Sequence, residues 1–269
     1  MDYGLAAMRA EVAAIVPAAG ASQRFRGRTA KSFAALRDVP LLVHPLTVLQ
    51  ASPAIRWIVL AVRAGDEPAA ADLVKRYKIT KALTPCRGGT SRAESVARAF
   101  AAVPRAARWV LVHDGARPCV SRRLIEQAVR AGKRCGAAAC GLPASLTVKA
   151  VDERGGVRLT LDRDQLWFVQ TPQVFRRDWF AQALGRAKHG LDRFPDDAAI
   201  LESAGFPVQM IPGDPLNIKV TTREDLILAE AILEKRSHNH KGAVNSKRCA
   251  SESATTSIGL TARGQANAR

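Results

Sequence analysis

The chain has 269 residues, 47% hydrophobic and 24% charged, ordinary globular values that exclude a collagen-like, coiled-coil or wholly disordered protein. No apolar run approaches the roughly 18 residues needed to cross a bilayer, and the longest mild stretch, Gly136 to Ala144, is short and made of small residues. Forty-one basic residues against 24 acidic ones give a formal charge of +17, which favours an anionic partner, either nucleic acid or a phosphorylated small molecule.

Residues 1–11 read as an N-terminal extension, followed by one domain over 12–235. Val12–Pro17 is a short apolar strand ending in Ala18-Ala19-Gly20. Leu41–Ala51 predicts a helix, Trp57–Val62 a β-branched strand, and Ala69–Arg76 a second helix. Ser91–Val103 sets Val96, Phe100 and Val103 at helical spacing, Trp109–His113 reads as a buried strand, and Leu124–Lys133 as a helix. Apolar strands alternating with amphipathic helices predict an α/β fold with a mostly parallel sheet. Leu146–Val151 and Val157–Leu161 then break the rhythm around Asp152-Glu153-Arg154-Gly155-Gly156. That is the signal of a protruding β-hairpin arm, over about 143–165, which either covers a site or reaches a partner subunit. Leu166–Val169 resumes the regular structure, with helices near Asp178–Ala187 and Asp196–Ala204. The last helix opens at Thr221-Thr222-Arg223-Glu224, where Thr221 and Glu224 suit a capping box. Leu226, Ala229, Ile232 and Leu233 fall on one of its faces. After Lys235 small and polar residues dominate, so 236–269 is expected to be a disordered basic tail, with six basic residues from Arg236 on against Glu252 alone.

Five cysteines stand at irregular spacing (Cys86, Cys119, Cys135, Cys140, Cys249). Without an export signal at the N-terminus they read as reduced thiols of a cytoplasmic protein. No Cys-x-x-Cys pair exists and the five histidines are scattered, which speaks against zinc. The basic residues read as spread along the chain, not massed on one helix, and no aromatics interleave with them as base stacking requires. A phosphorylated small molecule accounts for a basic cleft as well as nucleic acid does, and general solubility accounts for the rest; the expectation is a small-molecule partner, with neither nucleic acid nor membrane.

Five constellations carry chemistry. In the first, Pro17-Ala18-Ala19-Gly20-Ala21-Ser22-Gln23-Arg24-Phe25, a strand delivers a loop of small residues, and the cations Arg24 and Lys31 follow. Small side chains let backbone N–H groups approach an anion or a base edge, and the two cations suit phosphate oxygens. The plainer reading is an ordinary strand-to-helix turn; neither a Walker A loop nor a dinucleotide fingerprint is present. The second, Gly88-Gly89-Thr90-Ser91-Arg92-Ala93-Glu94-Ser95, suits a nucleotide at a helix N-terminus or simply an N-cap by Thr90 or Ser91. The third, His113-Asp114-Gly115-Ala116-Arg117-Pro118, puts a carboxylate where open α/β sheets bind ligands. Its alternative is a loop ion pair of Asp114 with Arg117, and His113 reads as structural. The fourth joins Thr147 and Lys149 on the hairpin to Leu161-Asp162-Arg163-Asp164. The fifth is Asn217-Ile218-Lys219-Val220-Thr221, where a cation precedes the last helix.

Taken in order, and with Thr171-Pro172-Gln173, these segments resemble the 2-C-methyl-D-erythritol 4-phosphate cytidylyltransferase family of the non-mevalonate isoprenoid pathway, over about Val12 to Lys235. The resemblance implies a Rossmann-like nucleotidyltransferase fold and a homodimer whose arms interlock. It also implies a divalent cofactor, usually magnesium, held mainly by the nucleotide phosphates with no metal-ligating residue of the protein. By the same resemblance Ala18, Ala19, Gly20, Gly89, Thr90 and Ser95 hold the cytidine nucleotide of CTP. Arg24 and Lys31 stabilise the triphosphate as the α-phosphorus becomes five-coordinate. Asp114, Arg117, Thr147, Thr171, Arg163 and Lys219 bind the sugar-alcohol phosphate, with Arg163 and Lys219 positioning its attacking oxygen.

The sequence departs from the family at Ser22, where glycine is frequent, at Thr90, where an acidic residue is common, and at Leu146, which replaces a polar residue. Some relatives are fused to a cyclodiphosphate synthase; the tail here is too short for one, so a single activity is expected. The competing readings are a ribitol 5-phosphate cytidylyltransferase, a basic nucleic-acid-binding protein, and a nucleotide-binding regulatory module without turnover.

Overall fold

The computed structural model describes residues 11–20 and 31–238. The extension up to residue 10, the segment 21–30 with Ser22 and Arg24, and the tail from 239 lie outside the described residues. The strands are β1 (Val12–Pro17), β2 (Ala35–Leu36), β3 (Val39–Pro40), β4 (Ile55–Val62), β5 (Cys86–Arg87), β6 (Trp109–Val112), β7 (Ala137–Pro143), β8 (Val148–Val151), β9 (Val157–Leu161), β10 (Trp167–Arg176) and β11 (Gln209–Pro212). The helices are α1 (Val43–Ala51), α2 (Glu67–Arg76), α3 (Arg92–Ala101), α4 (Arg122–Cys135), α5 (Arg177–Ala187), α6 (Asp197–Ser203) and α7 (223–238).

Seven strands form one sheet in the order β11-β7-β10-β6-β1-β4-β5. β1 pairs in parallel with β4 and β6, β4 with β5, and β11 with β7. β10 alone runs against its neighbours β6 and β7. The sheet is buried on both faces, which is why its central strands are continuous apolar runs and do not alternate with polar residues. Val12, Ala14 and Val16 of β1 pack with Leu46, Leu73 and Ile125 of α1, α2 and α4. Ala13 and Ile15 face Val96, Phe180 and Leu201 of α3, α5 and α6. A smaller cluster joins Leu36, Leu41, Cys119 and Val220 to Ala229 of α7.

The expected hairpin is present: β8 and β9 pair only with each other, antiparallel. Their turn is closed by Asp152 Oδ1, which accepts from the Arg154 and Gly156 N–H groups at 3.0 and 2.7 Å, while Gly155 takes the positive φ of 81° that an unbranched backbone tolerates. Val151, Val157 and Leu159 of the arm are exposed.

Three features differ from the sequence expectation. The small-residue stretch after Gly136 is a fully paired strand, β7, and Gln209–Pro212 is an edge strand beside it. Leu166–Val169 is the start of a ten-residue strand that continues through Thr171 to Arg176. The cap of α7 is displaced by one residue. Thr222 Oγ1 accepts from the Asp225 N–H at 3.4 Å, and the Asp225 carboxylate reaches back to the Thr221 and Thr222 N–H groups at 2.7 and 2.9 Å. The Val220 N–H is tied to the Ala116 carbonyl at 2.8 Å, so the chain turns helical one step later than Thr221 and Glu224 would place it.

Candidate active site

The site lies at the C-terminal ends of β1, β4 and β6, where the sheet delivers three loops. The loop after β1 is anchored by the Ala18 N–H, which donates to Ala61 at 2.7 Å, and by Ser32 Oγ, which donates to the Ala18 carbonyl at 3.0 Å. Ser32 belongs to the short 3-10 turn Lys31–Phe33, so the Lys31 backbone is tied to the Ala18–Gly20 loop. The loop after β5 lies against it: a Cβ on Gly88 would collide with the Ala19 methyl and with Ser95 Oγ. Ser95 Oγ accepts from the Gly89 N–H at 3.0 Å and donates to the Ser91 carbonyl at 2.8 Å. Ala18, Ala19, Gly20, Gly89 and Ser95 thus line two loops in contact.

Of the two caps open in the sequence, Ser91 is the one used, accepting from the Glu94 N–H at 3.1 Å. The Thr90 hydroxyl and N–H both donate to Glu94, at 2.7 and 2.6 Å. Those bonds, with Arg98, bring the Glu94 carboxyl down to about 2. Thr90 is therefore bonded within its own helix start.

Asp114 is the centre of the second group. It is 5% exposed and follows β6 directly. Arg92 Nε meets Oδ1 at 2.8 Å and Lys219 Nζ meets Oδ2 at 2.8 Å, whereas Arg117 Nε stands at 3.7 Å. The Asp114–Arg117 pair is present, but it is the longest of the three. Burial pushes the Asp114 carboxyl toward the neutral form; Arg92, Lys219 and Arg117 outweigh it and hold the group far below the usual carboxylate range. Arg92 also donates to Asp197 Oδ2 at 2.8 Å. Burial opposes the Arg92 charge as well, and Asp197 and Asp114 more than restore it. Asp197 is fully buried, and desolvation raises its carboxyl.

Beneath this cluster a neutral network fixes the loop. The Asp114 N–H donates to Thr171 Oγ1 at 3.0 Å, and Thr171 Oγ1 lies 3.1 Å from His113 Nδ1. Since Thr171 accepts from the amide, its proton is assigned to His113 Nδ1, leaving Nε2–H to donate to the Arg117 carbonyl at 3.3 Å. Burial lowers His113 to about 4, so the ring is neutral, in keeping with its structural reading. Asn217 Nδ2 donates to the Thr171 carbonyl at 2.7 Å, and Arg117 Nη1 donates to the Asn217 carbonyl at 2.8 Å. These bonds carry β10 and the stretch before α7 to the end of β6, and so deliver Lys219 to Asp114.

Asp114, Arg117, Thr171 and Lys219 are thus brought together. Thr147 and Arg163 stand exposed on the arm, where Arg163 Nη1 donates to the Ser145 carbonyl at 3.1 Å; among the described residues no hydrogen bond or ion pair joins them to the cluster. Arg24 lies outside the described residues. Sequence reasoning gave no role to Arg92, Asp197 or Asn217. Arg92 and Asn217 stood inside quoted segments, whereas Asp197, in an acidic pair before a short helix, carries no signal of its partner 105 positions away. Among the described residues no three His, Cys, Asp or Glu side chains gather as a metal site. Asp114 has both oxygens on cations, and Glu94, against Gly89, is held by Thr90 and Arg98, so both carboxylates beside the loops are engaged by the protein's own side chains and backbone.

Known proteins match this chain. The family model described as 2-C-methyl-D-erythritol 4-phosphate cytidylyltransferase matches residues 12–235. A protein of that name from Syntrophus aciditrophicus is 38% identical over 229 residues, covering 85% of this chain and 98% of the relative. One from Dehalococcoides mccartyi is 41% identical over 225 residues, covering 84% and 97%. The crystal structure of a 4-diphosphocytidyl-2C-methyl-D-erythritol synthase from Anaerococcus prevotii superposes with a TM-score of 0.72 at 27% identity, covering 83% of this chain and 98% of that one.

Proposed function

Because the chain belongs to the 2-C-methyl-D-erythritol 4-phosphate cytidylyltransferase family, and so serves the non-mevalonate isoprenoid pathway as a nucleotidyltransferase, we propose the following division of labour among its residues. The Ala18–Gly20 and Gly89–Ser95 loops hold the cytidine nucleotide. A phosphate oxygen of methylerythritol phosphate attacks the α-phosphorus of CTP. The new P–O bond forms as the bond to the β-phosphate oxygen breaks, and pyrophosphate leaves with that electron pair. No protein nucleophile is needed, because the attacking phosphate is already ionised.

Catalysis is then positioning plus charge stabilisation. Arg24 and Lys31 neutralise the triphosphate as charge develops. Arg117, Lys219 and, from the arm, Arg163 and Thr147 take the sugar-alcohol phosphate, with Thr171 and Asp114 holding the loop that presents them. Asp114 accepts one Lys219 proton, which fixes the ammonium and leaves its other N–H groups for the substrate. Magnesium bound by the nucleotide phosphates would supply further charge neutralisation; among the described residues no group of three carboxylate, His or Cys side chains forms a cage for it. The arms of two subunits pair, so that Thr147 and Arg163 serve the partner's site in a cytoplasmic homodimer.

The observation that carries this reading is the convergence of Arg92, Arg117 and Lys219 on buried Asp114 beside the two small-residue loops. Its test is pyrophosphate release from CTP and magnesium with methylerythritol phosphate or ribitol 5-phosphate as acceptor. Release with the former and little with the latter is expected; the reverse, or none with either, overturns the assignment.

A further inference from the structure

Far from this site, the segments at the opposite ends of the strands form an open cleft of about 890 Å³. β6 begins at Trp109 and ends just before His113 and Asp114, so about five residues of extended chain, roughly 16 Å, separate the two places. Six cations line the cleft: Arg105, Arg108, Lys133, Arg134, Arg176 and Arg177. Among the described residues Glu11 and Asp178 are the acids on its walls. In sequence these cations read as scattered; the fold collects them from the α3–β6 loop, the last turn of α4 and the β10–α5 junction. Three backbone hydrogen bonds lace those segments together: Arg108 N–H to Glu11 at 2.9 Å, Arg177 N–H to Arg108 at 3.0 Å, and Arg176 N–H to Gly136 at 2.8 Å. The cleft is therefore built by the sheet itself.

Pairing does not account for the charge. Arg176 meets Asp178 at 2.6 Å, and Arg108 reaches Glu11 only at 3.9 Å. Arg105, Lys133, Arg134 and Arg177 have no carboxylate within 4.0 Å among the described residues. The last turn of α4 is a favourable place for Lys133 and Arg134. The first turn of α5 is the wrong place for Arg176 and Arg177, because the helix already presents partial positive charge there. Arg177 Nε is buried without a hydrogen-bond acceptor among the described residues, and its guanidinium lies 5.5 Å over the Phe100 ring. Four cations without a carboxylate partner and the N-terminus of an eleven-residue helix in one concavity are the complement of a multiply charged anion.

We propose that this cleft is a second ligand site, for a small molecule carrying a chain of phosphates. Its volume is in the range of about 300–1,000 Å³ occupied by small-molecule pockets. It lies at the start of β7 and the end of β10, whereas the arm extends from the other ends of the same strands, so arm-to-arm pairing leaves it open.

The test is calorimetric titration of inorganic tripolyphosphate into the full chain in physiological salt, with the catalytic site first filled by CMP, which carries a single phosphate and no phosphate chain. A 1:1 event that persists with CMP bound is expected. Arg105→Ala/Arg134→Ala, two exposed residues without partners, should weaken it at least about tenfold, while pyrophosphate release by that variant stays within about twofold of the parent. ATP titrated in parallel separates the sources: equal affinity assigns the phosphate chain alone, tighter binding a nucleoside triphosphate, and both support the site. Loss of the event when CMP is bound, unchanged affinity in the double variant, or binding of an oligonucleotide with no 1:1 tripolyphosphate event overturns the proposal. None of these outcomes depends on which acceptor the catalytic site prefers.

Discussion

At the scale of single residues, the division of roles makes separable demands. Lys31→Ala and Arg24→Ala should each lower kcat at least about 100-fold, the usual cost of losing one donor to a developing oxyanion, measured by pyrophosphate release under saturating substrates. Lys219→Ala should instead damage use of methylerythritol phosphate and leave the KM for CTP within about threefold; an equal loss for both substrates contradicts the split. His113 sets a pH limit. Its ring is held near 4 by burial in the folded chain and lies near 6.5 when unfolded. Above the unfolded value it makes no pH-dependent contribution. As pH falls from 6.5 toward 4 the unfolded chain takes up a proton that the folded one refuses, costing roughly 3 kcal/mol. Denaturant titrations from pH 7 to 4 should show that decline, and His113→Asn should flatten it. The sequence identified Asp114, Arg117 and Lys219 because strand-end loops and a motif of known spacing mark them. It could not mark Asp197, whose importance is a buried ion pair closed only by tertiary structure.

At the scale of elements, the legible parts are those whose own residues decide their state. β1 is apolar throughout and buried at every position but one, and it spans the apolar run read from the sequence. β7 was hidden because Ala137-Ala138-Ala139-Cys140-Gly141 has the composition of a loop or a helix. It is a strand because its neighbours require small residues there: a Cβ on Gly141 would strike Met210, and one on Gly132 of α4 would strike Val174. Tertiary packing, not propensity, sets such a strand. The same closeness governs the two loops proposed to hold the nucleotide. Gly88→Ala would force Ala19 and Ser95 apart, so the KM for CTP should rise at least about tenfold while the melting temperature moves little; an unchanged KM would remove Gly88 from the nucleotide wall.

At the scale of the molecule, the arm and the sheet are separable. The two arm strands make no ladder with the sheet, and their apolar Val151, Val157 and Leu159 are exposed, as expected of a surface that pairs with a second copy. Replacing 146–162 by a two-residue Asn-Gly turn should yield a folded monomer by sedimentation, with cooperative unfolding retained and turnover lost through absence of Thr147. A dimer of undiminished activity would separate the arm from both roles. The arm was readable from its turn chemistry, whereas the direction of the strand that follows it was not, because direction is a property of the pairing and not of the residues.

That direction has a consequence for how such a chain can change over generations. Two strands side by side and pointing the same way must be linked by a long detour over the sheet, while opposed ones accept a link of any length, down to two residues. Because β10 is reversed beside β7, the link between them is the one place in the sheet where length is unconstrained. Insertions, deletions and exchanges of partner preference can accumulate there without rewiring the rest, so new assemblies can be tried on an unaltered catalytic frame.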